Sequence, residues 1–274
     1  MSEPGAPASP QHATRASTDR ERRTAAHPPS VTAVIPTLNE AETIAAVIAE
    51  LHRNIICEVI VADSGSRDNT PLIAQSAGAR VVSLTEQGYG RACAAGAGEA
   101  APESAIILFL DGDGADRADL AGRLIAPIEA GTHDFVIASR VRGHREPGSM
   151  LWHQVLAGRL AGLVMSVLYG VQYSDMCAFR AIRRDAFARL DMREDTYGWN
   201  IEMQMKAARA GLRILELPMP YRRRAGGASK VAGSMRASLR AAWRITLTML
   251  RVAAQGRRCG GHSSRVRSPR HPQG

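Results

Sequence analysis

The stretch AIILFLDGDGADRAD, residues 105–119, decides the fold. A run of apolar β-formers from Ala105 to Leu110 stops abruptly at Asp111-Gly112-Asp113. A buried strand ending in two closely spaced carboxylates delivers negative charge to the carboxyl edge of a sheet, where open α/β sheets bind their ligands. Gly112 is expected to leave room for a large anionic ligand and to free the loop's dihedrals. Hard oxygen donors at such an edge suit Mg²⁺ or Mn²⁺, which hold few carboxylates and complete their shells with substrate phosphates. The stretch therefore predicts a site for a metal-bound diphosphate.

Working outward, strand and helix signals alternate. Strands are expected at 31–36, 57–63, 80–84, 105–110 and 134–138, with helices over 41–53, 71–77, 88–101 and 120–129 between them. That alternation predicts an α/β fold: a Rossmann-like, mostly parallel central sheet covered by helices on both faces. After Arg140 the rhythm changes. A long helix is expected over 151–170, short elements over 174–190, a helix over 199–210 and a strand over 212–217. A basic glycine-containing loop and a further helix rich in arginine follow.

The expected organisation is a disordered Pro/Ala/Ser/Arg-rich arm over 1–29, a catalytic domain over 30–233, a basic amphipathic helix over 234–258 and a disordered basic tail over 259–274. The arm lacks the apolar core of a signal peptide. The longest uncharged apolar stretch, Leu160–Ser174, is too short to span a bilayer, which takes about 20 residues. Four scattered cysteines suggest neither a disulfide framework nor a zinc site, so a reducing, cytoplasmic location is expected. A net charge of +9, with the excess towards the C-terminus, favours anionic partners. Nucleic acid is not expected among them: aromatics are only 4%, no binding motif appears, and acids at the strand edge repel phosphate without a metal.

Three strand ends form a set. The first runs into Pro36-Thr37-Leu38-Asn39-Glu40, the second into Asp63-Ser64-Gly65-Ser66-Arg67-Asp68-Asn69-Thr70, the fourth into Asp111-Gly112-Asp113. Carboxylates there can accept hydrogen bonds from base N–H groups and ribose hydroxyls. For Asn39 and Asp68, helix capping remains equally open. In the RAGGASK loop, Arg224 and Lys230, with Ser229 and the amides freed by Gly226 and Gly227, are placed to close over a diphosphate. A solvated basic turn is the alternative.

VIPTLNE, VADSGSRDNT and FLDGDGAD, in this order, resemble the nucleotide-sugar-binding half of a family 2 glycosyltransferase with the GT-A fold. ASRVRG, WHQVLAGRLAGLVMSVLYGV, SDMCAFRAIRRDAF, YGWNIEMQMKAARAG and YRRRAGGASKVAGS resemble the polyprenyl-phosphate sugar synthases, the branch related to dolichyl-phosphate mannose synthase. The resemblance implies that Pro36, Asn39, Glu40 and Asp63 hold base and ribose, and that Asp111 and Asp113 hold the metal on the diphosphate. Where many relatives have glutamine, this chain has Ala115, leaving Asp116 or water to complete the metal's shell. Cys177-Ala178 stands where a Gly-Pro or Ser-Gly pair is common.

The implied reaction is inverting transfer of a hexose from GDP-mannose or UDP-glucose to a polyprenyl phosphate. A lipid phosphate is already anionic and needs arginines rather than a base; Arg140, Arg159 and Arg180 are the candidates. A soluble hydroxyl acceptor is the alternative and needs a base, with Asp175 and Glu202 as candidates. A non-catalytic nucleotide-binding module is a third reading. The arginine-rich C-terminal helix suits an anionic bilayer surface on the cytoplasmic side, or simple packing on the sheet. His144 and His153 receive no role, and Trp199-Asn200 either shape a pocket or belong to the core.

Overall fold

The computed structural model describes residues 30–150, 152–226 and 235–259. The arm over 1–29, the tail beyond Cys259, and Gly227, Ser229 and Lys230 of the basic loop lie outside the described residues. Seven strands form one sheet: β1 (Ser30–Thr37), β2 (Glu58–Asp63), β3 (Arg80–Ser83), β4 (Ser104–Phe109), β5 (Phe135–Ser139), β6 (Arg180–Arg183) and β7 (Ile214–Pro218). Their order is β3-β2-β1-β4-β6-β5-β7. Every pairing is parallel except those of β6, which runs antiparallel to both β4 and β5. The mostly parallel sheet expected from the alternation is present. Strand β6 was hidden among the short elements after residue 174.

The helices are α1 (Ile44–Glu50), α2 (Thr70–Ser76), α3 (Tyr89–Gly98), α4 (Ala121–Glu129), α5 (Trp152–Tyr169), α6 (Arg184–Arg189), α7 (Trp199–Arg209) and α8 (Met235–Cys259). β1 and β5 are buried along nearly their whole length rather than on alternate residues, so both faces of the sheet are covered. Helix α3 approaches closely through Gly96: a Cβ there would sit 2.5 Å from Val34 Cγ1. Phe109 of β4, Phe187 of α6 and Trp199 of α7 meet with ring centroids 5.7 to 6.3 Å apart. Trp199 is 1% exposed and therefore belongs to the core.

Because β6 is antiparallel to both neighbours, β4 and β5 point the same way. Their carboxyl ends, Asp111 and Arg140, emerge at one edge together with those of β1 and β2. The loop that follows β7 comes back across this edge. Tyr221 bridges to Asp116, the Arg222 amide donates to the Ala115 carbonyl (3.0 Å), and the Ala225 amide donates to the Asp113 carbonyl (3.1 Å).

Candidate active site

The β4 end carries three acids in six residues. Asp111 accepts a hydrogen bond from the Tyr89 hydroxyl at 3.1 Å, and its own amide donates to Asp116 Oδ2 at 3.3 Å. Asp113 Oδ1 accepts the Ala115 amide at 3.0 Å. Asp113 and Asp116 are 8% and 5% exposed. Burial, and then the charge of Asp113, push Asp111 up to about 6. Burial, followed by the charges of Asp111 and Asp113, pushes Asp116 up to about 8. In both cases burial is the larger cause, and repulsion among the three carboxylates adds to it.

Gly112 serves a different purpose from the one expected. A Cβ there would meet Thr37 Cγ2 at 3.1 Å and Ile35 Cγ2 at 3.4 Å, so glycine allows the loop to press against β1. The unusual dihedral belongs to Gly114, with φ +74°.

Arg224 partly offsets the acids. Its Nη1 lies 3.1 Å from Asp113 Oδ2 and its Nη2 lies 2.5 Å from Glu40 Oε1. One guanidinium thus joins the β1 end to the β4 end from the loop after β7. Gly226 packs where a Cβ would come 2.5 Å from Glu42 Oε2, seating this loop on the start of α1. Its carbonyl accepts the Arg224 Nε at 2.9 Å.

The β2 end is organised differently. Asp63 is 2% exposed and accepts four hydrogen bonds: from the Gly65 and Ser66 amides and from the Ser66 and Thr37 hydroxyls. Asn39, at φ 53°, ties the two loops together: its Oδ1 accepts the Arg67 amide and its amide donates to Ser66 Oγ, both at 2.8 Å. It does not cap α1, whose N-cap is Thr43. Asp68 does play a cap-like part, accepting the Thr70 amide at 3.0 Å. Pro36 is buried beside Ala62 of β2.

At the β5 end, Arg140 makes a two-pronged ion pair with Asp175, Nε to Oδ2 at 2.8 Å and Nη2 to Oδ1 at 2.7 Å. Its guanidinium carbon lies 5.1 Å from the centre of the Tyr221 ring. Burial disfavours the charge on Arg140, but Asp175 outweighs it and keeps the guanidinium protonated. Asp175, 2% exposed, is likewise held ionised by Arg140 against its burial.

The other candidates fall elsewhere. Arg180 is fully buried in β6, and its guanidinium donates to the carbonyls of Cys177, Ala178 and Asn200, so it binds core backbone and not an acceptor. Glu202 is 1% exposed, lies 3.0 Å from Lys206 Nζ and accepts the Arg193 and Glu194 amides. Every one of those bonds is structural, which leaves no place for a catalytic base. Arg159 is exposed on α5. The edge therefore gathers Glu40, Asp111, Asp113, Asp116, Arg140 and Arg224, and excludes Arg159, Arg180 and Glu202. Sequence reasoning missed Tyr89, which opens an alanine-rich helix, and Tyr221, which the YRRR run carried without distinction.

The donor set fits a divalent ion: hard oxygens, crowded and mutually repelling. Among the described residues, no three His, Cys, Asp or Glu side chains form a complete metal cage.

A mostly parallel sheet with an acid-rich loop at its central strand, crossed by a basic loop, defines a GT-A glycosyltransferase. Residues 32–191 match Glycosyl transferase family 2, and the chain belongs to that family. An uncharacterized glycosyltransferase of Mycobacterium tuberculosis is 34% identical over 214 residues, covering 77% of this chain and 93% of its own. The dolichyl-phosphate hexose transferase of Haloferax volcanii is 33% identical over 197 residues, covering 70% and 83%. Among solved structures, glucosyl-3-phosphoglycerate synthase of Mycobacterium tuberculosis shares the fold with a TM-score of 0.67 at 22% identity, covering 82% of this chain and 80% of its own. That enzyme was crystallised with Mn²⁺, UDP-glucose and phosphoglyceric acid.

Proposed function

We propose that this hexosyltransferase moves a sugar from GDP-mannose or UDP-glucose to a polyprenyl phosphate, with inversion at the anomeric carbon. One observation supports the choice of acceptor: of the two carboxylates named from the sequence as bases for a hydroxyl, neither is free to act. Asp175 is committed to Arg140, and Glu202 to Lys206 and two backbone amides. An acceptor that arrives already anionic needs no base. It needs a cation, and Arg140 stands at the same edge as the aspartates with its charge secured. The relatedness to a dolichyl-phosphate hexose transferase supports the same reading.

In this reading a phosphate oxygen of the acceptor bonds to the anomeric carbon while the bond from that carbon to the diphosphate oxygen breaks. The electron pair leaves with the nucleoside diphosphate. Asp111 and Asp113 would hold Mg²⁺ or Mn²⁺, which supplies charge neutralisation to the leaving diphosphate. Arg224, paired with Asp113 and Glu40, would contribute further positive charge to the diphosphate, and Arg140 would orient the acceptor phosphate. Glu40, Asp63, Asn39 and Pro36 shape the nucleoside pocket; Asp63 and Asn39 do so through the loop they hold. Gly227, Ser229 and Lys230, which follow in the sequence, are assigned to the donor diphosphate. Tyr89 fixes the rotamer of Asp111.

The test is transfer of radiolabelled sugar from each donor, with and without polyprenyl phosphate, in Mg²⁺ or Mn²⁺. Label entering the organic phase and lost with chelator or in Asp113→Ala supports the reading. Transfer to phosphoglycerate or a free alcohol without lipid labelling replaces the acceptor. Metal-dependent donor binding without any transfer would point to a non-catalytic module.

A further inference from the structure

Helix α5 is turned inside out relative to an ordinary surface helix. Its small residues face the protein: Gly158, Ala161 and Gly162 are buried with Met165, and a Cβ on Gly162 would collide with the Tyr173 carbonyl. Its bulky aliphatics face outward. Leu156, Leu160, Leu163, Val164, Val167 and Leu168 are 40 to 78% exposed. Their spacing, i, i+4, i+7, i+8, i+11, i+12, makes one continuous stripe. Single exposed leucines are ordinary, but a stripe of six marks an interaction surface. Arg159 is the one charged residue in the helix.

We infer that this stripe is a docking surface for an anionic lipid bilayer, on which α5 lies in the interfacial plane. Charge complementarity selects that occupant. From residue 217 to the end, 13 arginines and lysines occur without one aspartate or glutamate, so the remainder of the chain carries a net −4 against the overall +9. Helix α8 displays part of this charge beside apolar groups: Arg240 and Arg244 are exposed, as are Trp243 (64%) and Leu250 (63%). The two helices are connected, since α8 packs on α7 and α5 also contacts α7. A second copy of the chain would bring uncompensated positive charge against itself, whereas acidic headgroups neutralise it. No helix among the described residues is long and apolar enough to cross a membrane, so the contact lies along the surface. The inner side of α5 packs on residues 173–175, where Asp175 holds Arg140. A bilayer against the outer side therefore lies one helix away from the proposed acceptor phosphate. This last point rests on the lipid-phosphate reading; the stripe does not.

The experiment is flotation with vesicles of neutral phosphatidylcholine or of phosphatidylcholine mixed with phosphatidylglycerol, containing no polyprenyl phosphate. Full-length protein is expected to float with the anionic vesicles. The double variant Leu163→Ser/Val167→Ser, at two of the most exposed positions of the stripe, is expected to lose at least roughly tenfold in partition while keeping its circular dichroism and melting curve. Binding by the double variant equal to wild type overturns the proposal, because docking would then rest on α8 and the tail alone. Absence of vesicle binding, with a dimer in light scattering that the double variant disperses, also overturns it and assigns the stripe to a second copy. Transfer to polyprenyl phosphate in detergent is read separately, so failure of the acceptor assignment is distinguishable from failure of docking.

Discussion

Two loops at the same edge of the sheet carry buried acid and treat it in opposite ways. After β2, Asp63 commits its oxygens to four hydrogen bonds from its own loop and from Thr37. After β4, Asp111, Asp113 and Asp116 share a few local donors and a single bridging guanidinium, and two of them are pushed up to about 6 and about 8. A carboxylate saturated by its own chain organises structure. Carboxylates that burial and repulsion leave in excess are, on the proposed reading, the ones that take a cation. The contrast separates support from chemistry where residue type alone does not.

Substitution at the two loops should therefore fail in different currencies. The largest effect is expected for Asp113→Ala: transfer falls by roughly a thousandfold or more, because charge on the leaving diphosphate is no longer neutralised, while stability falls by less than in the Asp63 variant, since fewer bonds are lost. Asp63→Ala is expected to do the reverse. It orphans the Gly65 and Ser66 amides and costs about 2 kcal/mol in denaturant unfolding, with a weaker hold on the donor but an unaltered metal requirement. Equal losses of both quantities in both variants would break the distinction.

The excess charge on the β4 loop is also testable through pH. Asp116 ionises near 3.9 in the unfolded chain but only at about 8 in the fold. Between those values the folded state holds a proton that the unfolded state has lost, so this group lowers stability progressively as pH rises from about 4 towards 8. Asp116→Asn should accordingly stabilise the chelator-treated protein, and by more at pH 8 than at pH 5, in thermal melts. A stabilisation that does not grow with pH would show that burial and repulsion do not disfavour the ionised Asp116 in the fold.

Much of this was legible from residue type and order. The long apolar strands announced themselves, and so did the acids at their ends, because strand termini at one sheet edge follow from alternation alone. Two things were not legible. Strand β6 is four residues long with arginine at both ends, a pattern that reads as loop, yet it sits between β4 and β5 and reverses local polarity. Its Arg180 looked like a phosphate ligand because nothing in sequence reports that three backbone carbonyls will surround it. Glu202 misled similarly: its position early in a helix is visible, but the two amides of the preceding loop that it accepts are set by tertiary packing. The glycine between the acids does not carry the unusual dihedral expected of it, which falls at Gly114; at Gly112 the clash avoided is with β1.

Tyr89 sharpens the comparison on a smaller scale, because among the described residues it is the one side-chain hydroxyl that the β4 acids receive. Tyr89→Phe removes a single hydrogen bond worth about 1 kcal/mol. The expected result is a severalfold higher Mn²⁺ concentration for half-maximal donor binding in titration calorimetry, with the melting temperature nearly unchanged. If the metal requirement stays fixed and stability falls instead, Tyr89 is core and not a positioning residue.

The smallest effect is expected at the opposite edge of the sheet, where Asp134 precedes β5. Its carboxylate meets Arg213 at 2.7 Å and Arg183 at 3.4 Å, and the Arg213 amide donates to it at 3.0 Å. The hydrogen bonds and charge of Arg213 hold it down at about 2. Here the sign is opposite to that of Asp116: the folded state favours the ionised form, so the contribution is fully present above about pH 4 and is lost as pH falls through 2. Arg213 and Arg183 are half-exposed, and screening by solvent limits the pair to less than about 1 kcal/mol. Asp134→Asn should therefore lower the melting temperature slightly at pH 7 and not at all near pH 2, and transfer at neutral pH should be untouched. An effect of this substitution on metal requirement would mean that the two edges are coupled through the sheet, and the division between supporting and chemical carboxylates would have to be redrawn.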